Sequence, residues 1–478
     1  MWISYYRRPS GYCSRQRTTK SPGSRDGRAR QRQRHSTSLW RQIAHAFDLD
    51  GPGPRFLQDL DDLDEAKANI PEMLLIEAPG AETRRRNTTL LVKPDRVARL
   101  SRAAAAMALF TLQCYAPVGG QGNRTSVRGG GPLTTLVLPG TDPRTLWHLI
   151  WANTPAGGPP DTVELPLVFP WLAPTRTADR FRTTTPQQAH PLQAFWGMPR
   201  RIRPEFADNP DGLQCDLTGI VDPVIVTGRR QKKHGIDYDN WNHPLSPERK
   251  VKDSGWAPRP ARVGIGYRDW AAIALPEADD ARPARCVATW RERSCNISVN
   301  DSRLLASGYH VNKAKVIGFV ESEMPLPGVN RETAASTAQV ARRLVTASET
   351  AASALRSAVQ YARFDVAASD TAPLAAIYEA FWAATSNRFY ELALSVRGDW
   401  ETALQERASK WRDALRKTGL QLFDEAAPLD TSAASCDPIR IVKARRNLIF
   451  TLSGYGSAGR KLFKALLLPS PKQNGEQR

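Results

Sequence analysis

The residues best suited to contact a partner lie between positions 119 and 132, where fourteen positions hold six glycines and two arginines. Glycine lets a backbone approach its partner closely, so that free N–H groups can meet a phosphate or a base edge. No Gly-Lys-Ser/Thr ends the stretch and it lacks Gly-x-Gly-x-x-Gly, so it is neither a P-loop nor a dinucleotide site. Alone the stretch favours a flexible loop, but its arginines favour nucleic acid. The candidate contact residues are Gly119, Gly120, Gln121, Gly122, Asn123, Arg124 and Arg128.

Two further clusters combine basic side chains with turn residues. In the first, aromatic and proline residues at positions 241–247 precede Arg249, Lys250 and Lys252. These residues predict a basic finger on a loop that could reach a duplex groove, the alternative being a solvated charge run. The second cluster, residues 307–315, has a glycine turn, polar and basic tips and then an apolar run. It predicts a hairpin whose polar end points outward.

Enzymatic signatures are poor. The seven histidines are scattered, without His-Glu-x-x-His or a Gly-x-Ser-x-Gly elbow. An acidic run of Asp61, Asp62, Asp64 and Glu65 could hold Mg²⁺ in a nuclease, although a solvated face is the favoured interpretation because no histidine or further spaced carboxylate accompanies it. The six cysteines form no Cys-x-x-Cys pair, which indicates a reducing compartment and no zinc site. We predict no catalytic residues, no metal and no cofactor.

The charge balance suggests a polyanionic partner. The 478 residues include 67 Lys+Arg and 48 Asp+Glu, a net charge of +19, and 41% are hydrophobic. This composition predicts two or three folded domains and a nucleic-acid or acidic membrane partner. Membrane is the weaker alternative, because no run approaches the roughly 20 apolar residues that span a bilayer. The N-terminus does not resemble a signal peptide, so we expect a cytoplasmic protein.

Composition divides the chain into three regions, which together must position these candidate residues. Residues 1–45 carry eleven Lys/Arg and one acid, a net +10, with few aliphatic side chains, and predict a basic disordered leader. Residues 46–328 contain short segments punctuated by Pro and Gly, which predict an irregular mixed α/β domain with long loops. Residues 329–478 show four amphipathic helical patterns, over 333–364, from Pro373, over 399–425 with Asp399 as N-cap, and over 437–468. The prediction is an α+β protein ending in a four-helix bundle.

In their order these motifs resemble a known family, the large subunit of the type I-E CRISPR Cascade complex (the CasA family). The resemblance runs from about Phe47 to Leu468. Its motifs are Phe47-Asp48-Leu49, Phe56-Leu57-Gln58, the helical residues 103–115, Arg128-Gly129-Gly130-Gly131-Pro132, Phe195-Trp196-Gly197, Trp241 with His243-Pro244-Leu245, Tyr267-Arg268-Asp269-Trp270 and Ser307-Gly308-Tyr309.

The resemblance implies a non-catalytic subunit that recognises the protospacer-adjacent motif of target double-stranded DNA, chiefly from the minor groove. It also implies help in opening the duplex and forming the R-loop, and recruitment of the helicase-nuclease in antiviral defence. Guide RNA on the other Cascade subunits then reads the remaining sequence. The family's glycine loop falls on residues 119–122, its lysine finger on residues 249–252 with Lys250 or Lys252 at the tip, and its wedge on Asn312, Lys313 and Ala314. Its loop for guide and subunit contacts falls on Asn87, Thr88 and Thr89.

Three departures from the family accompany the resemblance. Lys313 stands where glutamine is common, so a phosphate or base-edge contact is as good a prediction as stacking. Cys215 stands alone where some relatives carry clustered cysteines for zinc. The arginine-rich leader replaces an apolar strand. The alternatives left open are a metal-dependent nuclease using Asp61 and Asp62, and a general RNA- or DNA-binding scaffold using the leader.

Overall fold

The structure, a computed structural model, describes most of the chain beyond the leader. The described residues are 41–87, 94–120, 122–140, 145–155, 164–252, 255–276, 278, 280–294, 302–312, 315–328, 331–363, 372–429, 437–469 and 471. Of the predicted disordered leader, residues 1–45, positions 1–40 lie outside them, whereas residues 41–45 are helical and Ile43 is buried. The predicted contact residues Gln121, Thr88, Thr89 and Lys313 also lie outside the described residues. Within the described residues, no helix combines the length and the apolar character needed to cross a membrane.

Among the described residues before 326, nine strands form three small antiparallel sheets. The strands are β1 (Leu100–Ser101), β2 (Thr134–Leu138), β3 (Arg201–Asp208), β4 (Val224–Lys232), β5 (Glu248–Val251), β6 (Gly255–Pro258), β7 (Ala281–Arg282), β8 (Arg303–Asn312) and β9 (Lys315–Pro325). The sheet orders are β1-β4-β3, β2-β8-β9 and β6-β5-β7. Buried side chains alternate with half-buried ones along much of β8, and half-buried side chains alternate with exposed ones along β9, which is the period-2 pattern of a half-buried hairpin.

Short helices and 3-10 turns connect these strands. The helices are α1 (Ala81–Arg85), α2 (Arg102–Tyr115), α3 (Leu146–Ala152), α4 (Leu165–Val168), α5 (Ala178–Phe181), α6 (Tyr267–Ala274) and α7 (Arg285–Ser294). The 3-10 turns span Ala44–Phe47, Pro71–Leu74, Pro170–Leu172 and Pro191–Phe195. Helix α2 begins where the Ser101 hydroxyl accepts a hydrogen bond from the Ala104 N–H at 3.3 Å, a standard N-cap. The combination of antiparallel sheets and helices confirms the α+β class.

The C-terminal part is helical, and its described residues form five helices where four were predicted. They are α8 (Arg331–Arg363), α9 (Ala372–Leu394), α10 (Trp400–Ala426), α11 (Pro438–Leu452) and α12 (Gly456–Ala465). Asp399 and Asp437 cap α10 and α11, as the sequence predicts for Asp399. The prediction of a single helix over 437–468 is wrong. The helix is interrupted at Gly454, whose φ of +95° is a left-handed conformation that ends a helix.

Helix α6 joins the sheet region to the C-terminal helices. Tyr267 stacks on Phe389 of α9 with ring centroids 4.3 Å apart, and its hydroxyl lies 2.9 Å from the Thr385 hydroxyl. The Trp270 indole donates to the Pro325 carbonyl at 2.7 Å. Buried contacts between large aromatic side chains of this kind stabilise the packing of the sheet region against the C-terminal helices. The predicted boundary near residues 325–330 falls between β9 and α8, and the division into separate domains stays a prediction.

Candidate nucleic-acid interface

The glycine loop is a closed turn. The Asn123 N–H donates to the Gly120 carbonyl at 3.2 Å, and the His234 N–H donates to the Gly122 carbonyl at 2.7 Å. Gly120 and Gly122 adopt φ values of +66° and +78°, which side chains with a Cβ adopt at a cost. A Cβ at Gly122 would lie 2.8 Å from the Lys233 side chain. The sequence therefore needs glycine here, and the loop is tied to the end of β4.

The polar side chains of this loop contact the protein itself. The Asn123 Oδ1 accepts from the Gln231 side-chain amide at 2.9 Å. Arg124 forms an ion pair with Asp237, with 3.1 Å between guanidinium and carboxylate and 38% of the arginine side chain exposed. These contacts fix the loop, so what it offers a ligand is chiefly the backbone around exposed Gly120. A backbone probe of this kind has little base selectivity.

Arg128 occupies a different position from the one predicted for a DNA contact. It is only 4% exposed. Its guanidinium donates to the Ser246 hydroxyl at 2.9 Å, to the Thr134 hydroxyl at 2.7 Å and to the Leu133 carbonyl at 3.2 Å. It also lies over the Tyr115 ring at 5.2 Å. Its contacts assign Arg128 a structural role, because its donors already bond protein oxygens away from the surface.

The basic finger is a β-hairpin, where the sequence predicted a loop. Arg249 and Lys250 lie in β5, which pairs with both β6 and β7, and Lys252 lies in the turn toward β6. All three side chains are exposed. Successive residues of a strand point to opposite faces, so Arg249 and Lys250 address different sides of the hairpin. Lys250 and Lys252 are therefore the pair that one ligand can meet at the tip.

The predicted polar hairpin is confirmed, with a different turn. Strands β8 and β9 pair over their whole length, and Asn312 faces Lys315 at the tip. Lys313 and Ala314 lie between them, outside the described residues. Gly308 is inside β8 and is not the turn; a Cβ there would lie 2.6 Å from the Pro132 carbonyl oxygen. Glycine at this position permits close packing against the preceding segment.

Residues 129–135, here called the anchor segment, connect all three features. A Cβ at Gly130 would lie 3.6 Å from the backbone at Pro117, beside the glycine loop. Its Gly131 carbonyl accepts from the Ala261 N–H at 2.8 Å, next to the finger hairpin. Strand β2, which the segment enters, pairs with β8. Loops separated by more than 100 residues in sequence are thus held on one support.

Gly131 permits the close approach of the wedge hairpin to the anchor segment. Its φ is +65°, and a Cβ would lie 2.7 Å from both the Tyr309 carbonyl oxygen and a methyl of Val311. Gly129 has a similar φ of +78° but nothing within 4 Å. We expect Gly131→Ala to cost about 2–4 kcal/mol of unfolding free energy, from backbone strain plus overpacking, and Gly129→Ala about 1 kcal/mol.

Thermal unfolding of these two variants, followed by circular dichroism, checks the expectation. Because both substitutions place alanine at a left-handed position, Gly129→Ala controls for backbone strain alone. Equal loss of stability in the two variants would show that the hairpin does not pack on Gly131 as described.

His243 lies in the turn that leads into the finger. It is buried, its Nδ1 accepts from the Leu245 N–H at 3.1 Å, and its ring contacts Phe195 edge to face at 5.2 Å. Burial first, and the Arg128 guanidinium second, hold the pKa of His243 well below its usual value of 6.5. The neutral ring is therefore the form that the fold accommodates.

Acid should destabilise the protein through His243. Its pKa is lower in the folded than in the unfolded state, so its contribution is fully present above about pH 6.5 and falls below it, by up to about 1.4 kcal/mol per pH unit. We expect the melting temperature to drop between pH 6.5 and 5, and to drop less steeply in His243→Asn, which keeps an acceptor without the titration. An identical pH dependence in both proteins would contradict this assignment.

Asn87 stands apart from the anchor segment. It is exposed, follows α1 and has a φ of +51°. Among the described contacts, none joins it to the three loops. Its predicted role in guide and subunit contacts therefore does not depend on the glycine loop, the finger hairpin or the wedge hairpin.

The acidic run near residue 60 faces basic strands. Asp61 and buried Asp59 both pair with Arg201, the Asp61 contact being 2.6 Å, and Glu65 lies 3.3 Å from Lys232. Asp62 accepts from the Asp64 N–H at 3.2 Å. In the described part of the chain, no group of three or more His, Cys, Asp or Glu is placed to hold a metal ion. The exposed ion pairs of Asp61 and Glu65 favour the solvated face over a metal site.

Two surface features escaped the sequence reasoning. Ile317 and Phe319 of β9 are 49% and 54% exposed, although the run containing them was interpreted only as the apolar arm of a hairpin. Helices α11 and α12 carry seven Lys/Arg and no Asp/Glu between residues 438 and 465, with exposed Phe450 stacked on Tyr455 at 4.6 Å. Counting the charged residues of each helical segment in the sequence would have identified this basic surface on α11 and α12.

Comparisons with known proteins agree with this architecture. The family CRISPR-associated protein Cse1 matches residues 23–422. Among solved structures, CasA (Cse1) of Thermus thermophilus is 17% identical with a TM-score of 0.59, covering 87% of this chain and 81% of its own. Cse1 of Thermobifida fusca is 17% identical with a TM-score of 0.58, covering 90% and 82%.

A chain of a CRISPR RNA-guided surveillance complex is also similar, at 16% identity and a TM-score of 0.54, covering 87% of this chain and 81% of its own. No curated protein matches the sequence. The structural likenesses show the shared fold, and the family match covers most of the chain. The predicted resemblance is therefore confirmed: the chain belongs to the Cse1 family, the large subunits of type I-E Cascade.

Proposed function

We propose that this protein recognises a short motif in target double-stranded DNA beside the guide-matched sequence and helps to open the duplex there, without itself catalysing a reaction. The observation that carries the proposal is the shared support of the three loops. The glycine loop, the finger hairpin and the wedge hairpin all contact residues 129–135 or the chain next to them. One rigid support allows three separate loops to engage one short length of duplex.

The chemistry of each loop suits a permissive reader of the minor groove. That groove distinguishes mainly A·T from G·C, so a backbone probe at Gly120 with lysines at 250 and 252 would accept several related motifs. Exposed Asn312 and Lys315 border the tip of the wedge hairpin, where Lys313 stands. Separating one base step costs a few kcal/mol, an amount that a few phosphate contacts can supply.

The remaining proposed partners follow from family membership. We propose that Asn87, Thr88 and Thr89 contact the guide RNA end and neighbouring Cascade subunits, and that the protein offers a docking surface to the helicase-nuclease. Its similarity to a chain of an RNA-guided surveillance complex supports a role within such an assembly. Target DNA, guide RNA and subunits would then form one complex.

Co-expression with candidate Cascade subunits and a guide RNA tests the proposal. We expect the protein to co-purify with them and to confer binding to a guide-matched duplex that depends on the bases flanking the match. The complex lacking this protein should still bind the guide-matched single strand. Duplex binding that ignores the flanking bases would contradict motif recognition.

The two alternatives make distinct predictions. A metal-dependent nuclease would cleave DNA with Mg²⁺ or Mn²⁺ and lose cleavage on Asp61→Asn and Asp62→Asn. A scaffold using the leader would lose most nucleic-acid affinity when residues 1–40 are deleted; the deletion stops there because Ile43 is buried in the core. Under the proposed function, neither change affects motif-dependent binding by more than about twofold, the range expected of surface changes.

A further inference from the structure

Three aromatic rings form a row from the stem of the wedge hairpin to the anchor segment. Phe319 of β9 meets Tyr309 of β8 edge to face, with ring centroids 5.2 Å apart. Tyr309 meets Tyr115 of α2 in the same way at 5.5 Å. At the inner end, the Arg128 guanidinium lies over Tyr115, whose hydroxyl is 2.8 Å from the Thr134 hydroxyl. The row is thus fixed at its inner end.

The outer end of the row is open. Phe319 is 54% exposed, and neighbouring Ile317 is 49% exposed. Pairing of His310 with Gly318 and of Val311 with Val316 leaves Ile317 without a partner, so the strand bulges here. A bulge re-aims the side chains next to it, and bulges recur beside functional sites. The backing rings hold Phe319 in place, which lowers the entropy lost when a flat ligand stacks on it.

We propose that Phe319 is a stacking platform for an unpaired DNA base released beside the wedge. The inference rests on the proposed function, because opening the duplex must leave at least one base without its partner. Aromatic side chains stack on the π-face of any base and so suit a site that must accept different sequences. The platform lies on the same hairpin as Asn312 and Lys315, within a few residues of the predicted point of opening.

A protein partner is the competing occupant of this patch, and position favours the base. The row joins Phe319 to the support that also holds the glycine loop and finger, so the platform keeps a fixed position relative to those loops. Stacking needs a flat π-face, whereas a protein contact needs only apolar area. Substitutions at position 319 can therefore separate the two occupants.

Permanganate reactivity of the assembled complex tests the platform. Permanganate attacks unpaired thymines that are not stacked, so guide-matched duplexes carry a thymine at one of the first positions beside the motif. We expect one such thymine to be opened but protected in the wild type, and to become about tenfold more reactive in Phe319→Ala. Phe319→Trp should retain protection and Phe319→Leu should lose it. Phe181→Ala, which removes another exposed ring, is the matched control.

Each other outcome counts against the proposal in a distinct way. If the thymine stays unreactive in both the alanine and the leucine variants while other thymines of the displaced strand react, the platform is overturned and duplex opening is intact. If leucine retains protection and alanine loses it, the base contacts apolar area at position 319 without stacking, and the platform is overturned. If no thymine reacts in the wild type or in Phe319→Ala, duplex opening itself fails, and the platform fails with it.

Discussion

Replacing Lys250 and Lys252 together with alanine should weaken binding of the motif-bearing duplex by the assembled complex by at least about 30-fold. Both side chains are exposed at one end of the finger hairpin. Each contact of a basic side chain with a base edge or phosphate contributes roughly 1–3 kcal/mol, and two such contacts are lost. The salt dependence of binding should also decrease, because fewer counterions are released. Electrophoretic mobility shift at two salt concentrations measures both effects.

A charge-matched variant separates a local contact from the general field of the protein. Lys410 and Lys417 are exposed on α10, and replacing both removes the same net charge from the helical region. That variant should bind the duplex within about twofold of the wild type. Equal losses in the two double variants would mean that the finger acts only through overall charge.

Arg128→Ala should damage both the stability of the protein and its binding of the duplex. It removes the donors to Ser246 and Thr134 and leaves buried oxygens without them. The expected loss is about 3 kcal/mol of unfolding free energy, the usual result of stranding buried polar groups. Duplex binding should fall as well, because the loops lose their common support. The binding is measured well below the melting temperature of the variant. Arg128→Lys keeps a charged donor and should recover part of both properties.

An arginine of helix α7 provides the comparison. Arg291 is half-buried and donates to the Ala274 carbonyl. Arg291→Ala should lower stability while the folded protein keeps its duplex affinity. If Arg128→Ala and Arg291→Ala reduce binding equally at equal stability, Arg128 has no special role in positioning the loops.

Local signals in the sequence predicted much of the fold. Asp399 caps α10 as expected because capping depends on a side chain and the N–H groups two and three residues later. The wedge hairpin was predicted from a glycine, the polar and basic residues after it and the apolar run that follows, although the glycine is not its turn. The break between α11 and α12 was missed because the apolar stripe continues across Gly454, although two glycines in three positions there were a warning. Strand β5 was missed because it has only four residues and depends on pairing with β6 and β7.

The arrangement of the site depends on contacts that no local pattern contains. The Leu133 N–H donates to the Arg259 carbonyl at 2.8 Å, across more than 100 residues. Arg128 looked like a solvent-facing arginine in a glycine-rich stretch, but its guanidinium is buried against Leu133, Thr134 and the distant Ser246. The loops could be identified from residue types and the family resemblance. Their common support, and the exposed ring of Phe319, required the structure.

Selection from a library of guide-matched duplexes with randomised flanking bases tests motif recognition by these loops most directly. The wild-type complex should enrich a small set of related sequences, confined to the few base pairs beside the match. The Lys250→Ala, Lys252→Ala variant should lose that enrichment while binding the guide-matched single strand as tightly as the wild type. Undiminished enrichment of the same sequences by the variant would contradict the account.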